Sequence, residues 1–338
     1  MHRQVGLKMA LDLYFFFRVL VFPGFTFILF FTFFCDWVER KIEARMQNRV
    51  GPAVAGPAGI LQPLADFMKL LTKEEIVPKN AKRFVFKFAP VFSFSILVFA
   101  VSLLPIDGSS AIPGVSFQGD LIFIMGLVTV ANFLLFLSGW ASSNPYGSIG
   151  AARVLTQFLG YDIPLFLLAL APAFLAGTLS IATIAASQYL PYIILAPWAF
   201  VLFVITLQAE LEKDPFDIPH AESEVVGGLE TEYCGGKLAF LHLTRDVQIV
   251  FGAALVVELF LGGPYGPVFF GPPALWYTIW FVLKLLAVVL LSEYLTCLFA
   301  RLRIDQIVTA NWKFLVPLSV LALTLTAALA VWIYPMPV

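Results

Sequence analysis

The chain has 338 residues, of which 60% are apolar, 15% aromatic and only 13% charged. Soluble domains carry about 25% charged residues, so this composition, with a mean hydropathy of +0.90, excludes an ordinary soluble enzyme and a disordered chain. Lys+Arg 21 against Asp+Glu 22 leaves a net charge of −1, which argues against a nucleic-acid binder.

Crossing roughly 30 Å of hydrocarbon takes about 20 mostly apolar residues. Eight stretches meet that requirement, at 12–36, 85–104, 121–140, 155–177, 190–211, 243–262, 276–298 and 314–334. They predict an all-α, polytopic membrane protein with about eight transmembrane helices, a single integral membrane domain over 1–338. The first stretch runs into Glu39-Arg40-Lys41 instead of a small-residue cleavage site, so it reads as a span and not a signal peptide.

Segment 39–83 follows span 1. It opens as a charged continuation of that helix, breaks at Gly51-Pro52 and Gly56-Pro57, and predicts an amphipathic helix from Gly59. Ile60, Leu61, Leu64, Phe67, Met68 and Leu71 recur at helical spacing, with Gln62, Asp66, Lys69 and Lys73 opposite. Pro63 is compatible with a first turn. Two readings stand: an interfacial anchor lying along the membrane surface, or a wall for an amphiphilic substrate entering from the lipid.

Segment 208–237 carries Glu210, Glu212, Asp214, Asp217, Glu222, Glu224, Glu230 and Glu232 against Lys213 and Lys237. Pro215 and Pro219 predict a folded loop with a short helix near 220–228. Acids crowded between apolar helices spread their pKa values, which suits proton carriage and the sensing of a nearby charge; the plainer reading is a solvated face. Four charges read as lying inside the bilayer: Asp162 and Lys284 near mid-depth, Glu258 toward the outer end of its span and Glu293 toward the inner end of its own. Each costs at least about 2.5–3.5 kcal/mol facing lipid. An ion pathway is one reading, and a structural pair such as Asp162–Lys284 is the other.

Orientation follows from Lys and Arg. Ten lie between spans 1 and 2 (Arg40, Lys41, Arg45, Arg49, Lys69, Lys73, Lys79, Lys82, Arg83, Lys87). Arg153, then Lys213, Lys237 and Arg245, then Arg301, Arg303 and Lys313 mark the other connections of the same side. The connections 105–120, 178–189 and 263–275 hold none. The charged loops are therefore expected in the cytoplasm, with both termini outside; Arg3, Lys8 and Arg18 run against this. Tyr189, Tyr192, Trp198, Trp276, Tyr277, Trp280, Trp332 and Tyr334 sit at span ends, as an interfacial belt does. Cys35, Cys234 and Cys297 are widely separated and read as small apolar fillers, and His2, His220 and His242 offer no mid-membrane pair for a haem. No P-loop or G-x-G-x-x-G is present.

Two motifs carry a resemblance. Glu39-Arg40-Lys41…Arg45-Met46-Gln47…Arg49-Val50-Gly51-Pro52…Gly59-Ile60-Leu61-Gln62-Pro63-Leu64-Ala65-Asp66 resembles the first cytoplasmic segment of the NuoH, or NADH dehydrogenase subunit 1, family of complex I. Ala209-Glu210…Pro215-Phe216-Asp217-Ile218-Pro219…Glu222-Ser223-Glu224…Glu232-Tyr233 is similar to that family's acidic loop. The superfamily includes membrane anchors of energy-converting hydrogenases and related sulfur-reducing complexes. The resemblance implies a membrane-anchor and coupling subunit, without a catalytic centre or cofactor of its own, linking electron transfer in a peripheral arm to H⁺ or Na⁺ translocation. Iron–sulfur clusters, and NiFe or quinone, would come from partners or the membrane. The implied partners are peripheral redox-arm subunits, antiporter-like and small membrane subunits, and the lipid of the cell membrane, with quinone a further candidate. It also implies that Arg40, Arg45 and Arg49 contact the arm and the loop acids, and that Asp66 sits on the surface helix. Glu210, Asp217, Glu222, Glu224 and Glu232 would form an acidic funnel, and Asp162 stands where complex I members usually have Glu. Glu258, Lys284, Glu293 and His220 are further proton-path candidates. His220, Ala53 and Glu212-Lys213-Asp214 depart from the complex I pattern and favour the ferredoxin-dependent hydrogenase or sulfur-reducing branch over a quinone chamber. A stand-alone secondary cation transporter is the rival class; it predicts an internal repeat of broken helices, and none is visible.

Overall fold

The computed structural model describes residues 14–110, 112, 116–219 and 221–333, and only the backbone of Glu222 and Ser223. His2, Arg3, Lys8, Tyr334 and the proton-path candidate His220 lie outside the described residues. Among the described residues, nine helices of more than ten residues frame the molecule: α1 (Phe25–Met46), α2 (Gln62–Thr72), α3 (Arg83–Ser102), α4 (Asp120–Ala141), α5 (Pro145–Ala176), α6 (Pro197–Glu210), α7 (Gly236–Phe260), α8 (Pro273–Leu298) and α9 (Val316–Ile333).

Seven helices among the described residues are long and apolar enough to cross a membrane, which makes the chain a polytopic all-α membrane protein. The eighth expected span, 190–211, is different. Its chain forms a short helix at Tyr192–Leu195, breaks at Ala196 (φ −133°, ψ 62°) and resumes as the 14-residue α6. Pro191 and Pro197 flank that break, and proline removes a donor and clashes with the preceding turn. At 1.5 Å per residue α6 is about 21 Å long, shorter than the hydrocarbon layer, and Glu210 at its C-terminal end is buried.

Other boundaries moved for local reasons. The first span runs Tyr14–Met46, so the charged stretch after Glu39 is indeed helical. α5 begins ten residues before the expected 155, because Asn144 caps it by accepting from the Tyr146 amide at 2.9 Å and Pro145 occupies the first turn. The last span continues upstream through Asn311–Leu315 to Ile304.

α7 is the central helix. Every residue from Val250 to Phe260 is buried, as expected of a segment that, Glu258 apart, is apolar around its full circumference. α1, α3 and α8 pack on it, and the main core runs through all of them. The amphipathic α2 lies across α1 and α7: Phe67 meets Phe33 at 5.6 Å and Phe240 at 6.5 Å between ring centroids. Its apolar face is divided, since Leu64 and Phe67 turn inward while Ile60, Leu61, Met68 and Leu71 stay exposed. The turn leading into α2 needs Gly59 (φ +80°), where a Cβ would come within 2.2 Å of the Pro52 carbonyl oxygen.

The connections cluster at two ends. One gathers segment 47–82, the α4–α5 turn, loop 211–235 and residues 299–303, and holds most of the charge. The other joins the described residues of 103–119, 177–196 and 261–272. Arg18, the cation that opposed the orientation rule, lies at this second end but is neutralised. Its guanidinium donates to both Asp107 carboxylate oxygens at 3.1 and 3.0 Å and to Ser109 Oγ at 2.7 Å.

Candidate functional site

The C-terminal end of α6 is a junction. Gln208 donates to Thr296 Oγ1 (2.7 Å) and accepts from Ser292 Oγ (2.8 Å), both on α8. The Ala209 carbonyl accepts from Gln157 of α5 at 2.8 Å. The Glu210 carbonyl accepts from Gln248 of α7 at 3.1 Å. Three residues on, Lys213 bridges Glu39 of α1 (3.0 Å) and Glu293 of α8 (2.8 Å). Six consecutive residues, 208–213, thus reach α1, α5, α7 and α8. Helix termini leave backbone carbonyls without internal partners, and here side chains of other helices satisfy them.

Charge at this junction is buried. The side chains of Lys213, Glu39 and Glu293 are 12%, 13% and 7% exposed. Burial disfavours the Lys213 ammonium, but Glu39 and Glu293 outweigh it and hold its pKa above that of an ordinary lysine. Glu210 is 1% exposed, and neither carboxyl oxygen has a hydrogen-bond partner. An anion in that position costs several kcal/mol, so this carboxyl is a group that can hold a proton. A buried polar row starts beside it, at the Glu210 backbone carbonyl. Gln248 donates to Asn132 Oδ1 (3.1 Å), Asn132 donates to the Tyr161 hydroxyl (3.2 Å), and next to Tyr161 on α5, Asp162 accepts from Thr129 (3.2 Å). Asp162 and Glu210 are thereby brought to one region.

Two cavities open beside the junction. One of about 670 Å³ is lined by Asp36, Glu39, Arg40, Glu43, Glu212, Lys213, Asp214, Asp217, Arg245, Glu293, Thr296 and Arg301. Another, of about 290 Å³, shares Asp36 and Arg40. Phe33, Pro63, Phe67, Leu70 and Leu243 wall it, with Asp66, Lys69, His242 and Asp246 supplying polarity. Together they grade from apolar to strongly charged and lie between α2 and loop 211–235. Asp214 at the polar end has its pKa raised by burial and by Glu43, with Arg301 offsetting part of the effect.

The loop acids are not a cluster of like charges left to repel one another. Glu224 pairs with Arg153 (2.6 Å), Asp217 with Arg301, Glu230 with Arg245, and Glu232 accepts from Asn144. Tyr233 stacks on Phe86 at 4.1 Å and donates to the Ser138 carbonyl at 2.9 Å. Cys234, expected as a filler, accepts from the Ile76 amide at 3.1 Å and joins the loop to the segment after α2. The short helix expected near 220–228 is Glu222–Val225, followed by a 3₁₀ turn at Gly228–Glu230. That turn presses so closely on α5 that a Cβ at Gly150 would lie 2.7 Å from the Leu229 amide nitrogen.

Arg40 and Arg49 of the first segment have local partners. Arg40 pairs with Asp36 and Asp66 (both 2.8 Å), Arg49 pairs with Glu43 (3.0 Å), and Arg45 is exposed. Asp66 sits on α2, and its salt bridge to Arg40 joins α2 to α1 beside the Phe67–Phe33 contact. The considered pair Asp162–Lys284 is not formed: Lys284 donates to the carbonyls of Gly263 (2.9 Å) and Tyr265 (2.8 Å) at the second end. Glu258 is fully buried near it with both carboxyl oxygens unpartnered. Glu258 and Lys284 therefore form a separate group, away from the junction that holds Glu210, Asp162 and Glu293.

Sequence reasoning passed over Glu39 and Lys213 as site members, and over Asp36, Asp246, Gln248 and Asn132. Asp246 falls inside the expected span 243–262, so the rule that flagged Glu258 applied to it equally. Asn132 and Gln248 carry no charge and only their mutual contact marks them. Among the described residues no three His, Cys, Asp or Glu side chains group as metal ligands.

A family profile described as NADH dehydrogenase matches residues 19–327. The chain is 39% identical over 313 residues to a protein of Geobacillus kaustophilus (strain HTA426), covering 91% of this chain and 92% of that one. It is 36% identical over 317 residues to one of Thermomicrobium roseum, covering 88% and 91%. With one of Dehalococcoides mccartyi (strain CBDB1) it shares 36% identity over 291 residues, covering 86% and 80%. All three relatives are named as one and the same subunit of NADH-quinone oxidoreductase.

Proposed function

The chain belongs to the NuoH, or NADH dehydrogenase subunit 1, family of complex I membrane subunits, and from that premise we propose that it is a membrane-anchor and coupling subunit, linking electron transfer in a peripheral arm to translocation of H⁺ or Na⁺. The observation that carries this reading is the α6 junction, where one loop root grips α1, α5, α7 and α8 and sets the unpartnered Glu210 carboxyl beside a buried polar row. A change of charge or position above loop 211–235 is felt at Lys213. The Glu39–Lys213–Glu293 balance then shifts, and Glu210 and Asp162, whose charges act on one another, change protonation in response. Asp217, Glu224 and Glu232 hold the loop in register through Arg301, Arg153 and Asn144, with Glu222 and His220 as further loop acid and base. Glu258 and Lys284 serve ion exchange at the far end. The charged end faces the cytoplasm of a cell membrane, and the redox cofactors reside in partner subunits.

For the electron acceptor, the graded pair of cavities favours a quinone. The aromatic wall formed by Phe33 and Phe67 suits an amphiphilic ring, and Arg40 and His242 offer donors to its oxygens. The relatives' names agree with that chemistry. A second reading, a ferredoxin-dependent hydrogenase or sulfur-reducing complex, is favoured by Lys213, whose fixed charge cluster at the cavity wall suits charge relay better than ring seating. Purifying the complex from membranes, identifying its components and assaying quinone reduction, H₂ evolution and sulfur reduction separates the two. Quinone reduction supports the first reading; H₂ or sulfide production without it supports the second.

A further inference from the structure

At the charged end of α3 lies a group of cations that the coupling site does not use. Lys79, Lys82, Arg83 and Lys87 fall within nine residues and all are exposed. Among the described residues none has a carboxylate at ion-pair distance, whereas Arg40, Arg153, Lys213, Lys237, Arg245 and Arg301 at the same end are all paired. Helix α3 itself contains no acid, and the only acid of the adjacent α4 is Asp120 at its opposite terminus.

The neighbours of these cations are aromatic. The Lys82 amide donates to the Ala141 carbonyl at 3.0 Å, which fixes residue 82 beside the end of α4. Its ammonium stands 3.5 Å from the centroid of the Trp140 ring, and Trp140 is itself exposed. Arg83 and Lys87 are one helical turn apart. Phe84, Phe88 and Phe92 form the adjoining row, exposed and in succession at 4.9 and 6.0 Å between centroids, descending from the cations into the apolar zone. Cations at the interface with an aromatic stripe running inward match a molecule that has an anionic head and apolar tails.

We propose that this corner, formed by Lys79, Lys82, Arg83 and Lys87 with Trp140, is a binding site for the headgroup of an anionic phospholipid whose acyl chains lie along Phe84, Phe88 and Phe92. Free phosphate would use the cations but leave the aromatic row idle, so the row selects the lipid. The site rests on the chain being a membrane protein and is independent of which electron acceptor its complex uses.

The test uses the full chain in neutral detergent, with phosphatidylglycerol and phosphatidylcholine as probes and native mass spectrometry to count bound lipid. The wild type binds phosphatidylglycerol in preference to phosphatidylcholine. Each neutralised cation lowers that affinity about fivefold, so the combined K79Q/K82Q/R83Q/K87Q variant loses the preference, while a K69Q/K73Q control on α2 keeps it. Equal binding of both lipids, or an equal loss in the control, overturns the proposal. A second measurement does not require the quadruple variant to fold. Fluorescence quenching by brominated phosphatidylglycerol, taken as the difference between wild type and Trp140→Phe, isolates Trp140. Quenching of Trp140 by brominated phosphatidylglycerol but not by brominated phosphatidylcholine supports the site; equal quenching, or none, refutes it. Inorganic phosphate that displaces the lipid at comparable concentration also refutes it.

Discussion

Replacing Lys213 with Met tests the junction through stability alone. The ammonium lies 3.0 Å from Glu39 and 2.8 Å from Glu293, and all three side chains are nearly buried. Removing one member of a buried pair costs about 3–5 kcal/mol, because the remaining charge is stranded. Here two carboxylates are stranded and face each other, so Lys213→Met is expected at the upper part of that range. Adding Glu293→Gln removes one of them and recovers stability, with a coupling of about 1–3 kcal/mol in a double-mutant cycle. Thermal and denaturant unfolding of the purified chain in detergent at neutral pH provide the readout. Because the folded pKa of Lys213 is raised, its contribution is fully present below the unfolded value of about 10.4 and is lost only as pH climbs through the higher folded value. The wild-type protein should therefore show no loss from this group between pH 6 and 9. A loss below about 1 kcal/mol, or strict additivity with Glu293→Gln, would falsify the claim that this triad is a buried electrostatic joint.

Asp214 gives a contrary pH signature. Its folded pKa lies above the unfolded value, so it favours the fold only below the unfolded pKa of about 3.9 and opposes it once pH passes the folded value. Asp214→Asn should raise the melting temperature at neutral pH and leave it unchanged in acid; a uniform gain at both would contradict the assignment. Gly150→Val should push the Leu229 turn off α5, since even a Cβ there meets backbone at 2.7 Å. Overpacking of this kind costs about 1–3 kcal/mol, and limited proteolysis in loop 211–235 should accelerate; an unchanged cleavage rate would show that the loop is held elsewhere.

The membrane class and most spans were legible because apolar runs of 20 residues have few other uses. The span at 190–211 misled, because composition reports length and not continuity: Pro191 and Pro197 were visible, but only the fold shows that the chain breaks between them at Ala196. The acid loop was legible as a charge run, yet its partners were not. Arg153, Arg245 and Arg301 come from three different parts of the chain, and no local pattern announces that they converge. Glu39 and Lys213 are 174 positions apart in sequence yet 3.0 Å apart in space. Sequence could flag intramembrane charges one by one, but it could not sort them, and Asp162–Lys284 was a reasonable pairing that the helix arrangement does not make.

Glu210 tests the central claim most directly, since it is buried, unpartnered and set where the loop enters the membrane domain. In the intact complex reconstituted into liposomes, the quantity to measure is ions translocated per electron for wild type and Glu210→Gln. If the α6 junction couples the two processes, electron transfer continues in Glu210→Gln and the ratio collapses. A ratio equal to that of the wild type, in a complex that assembles and transfers electrons normally, would contradict the account.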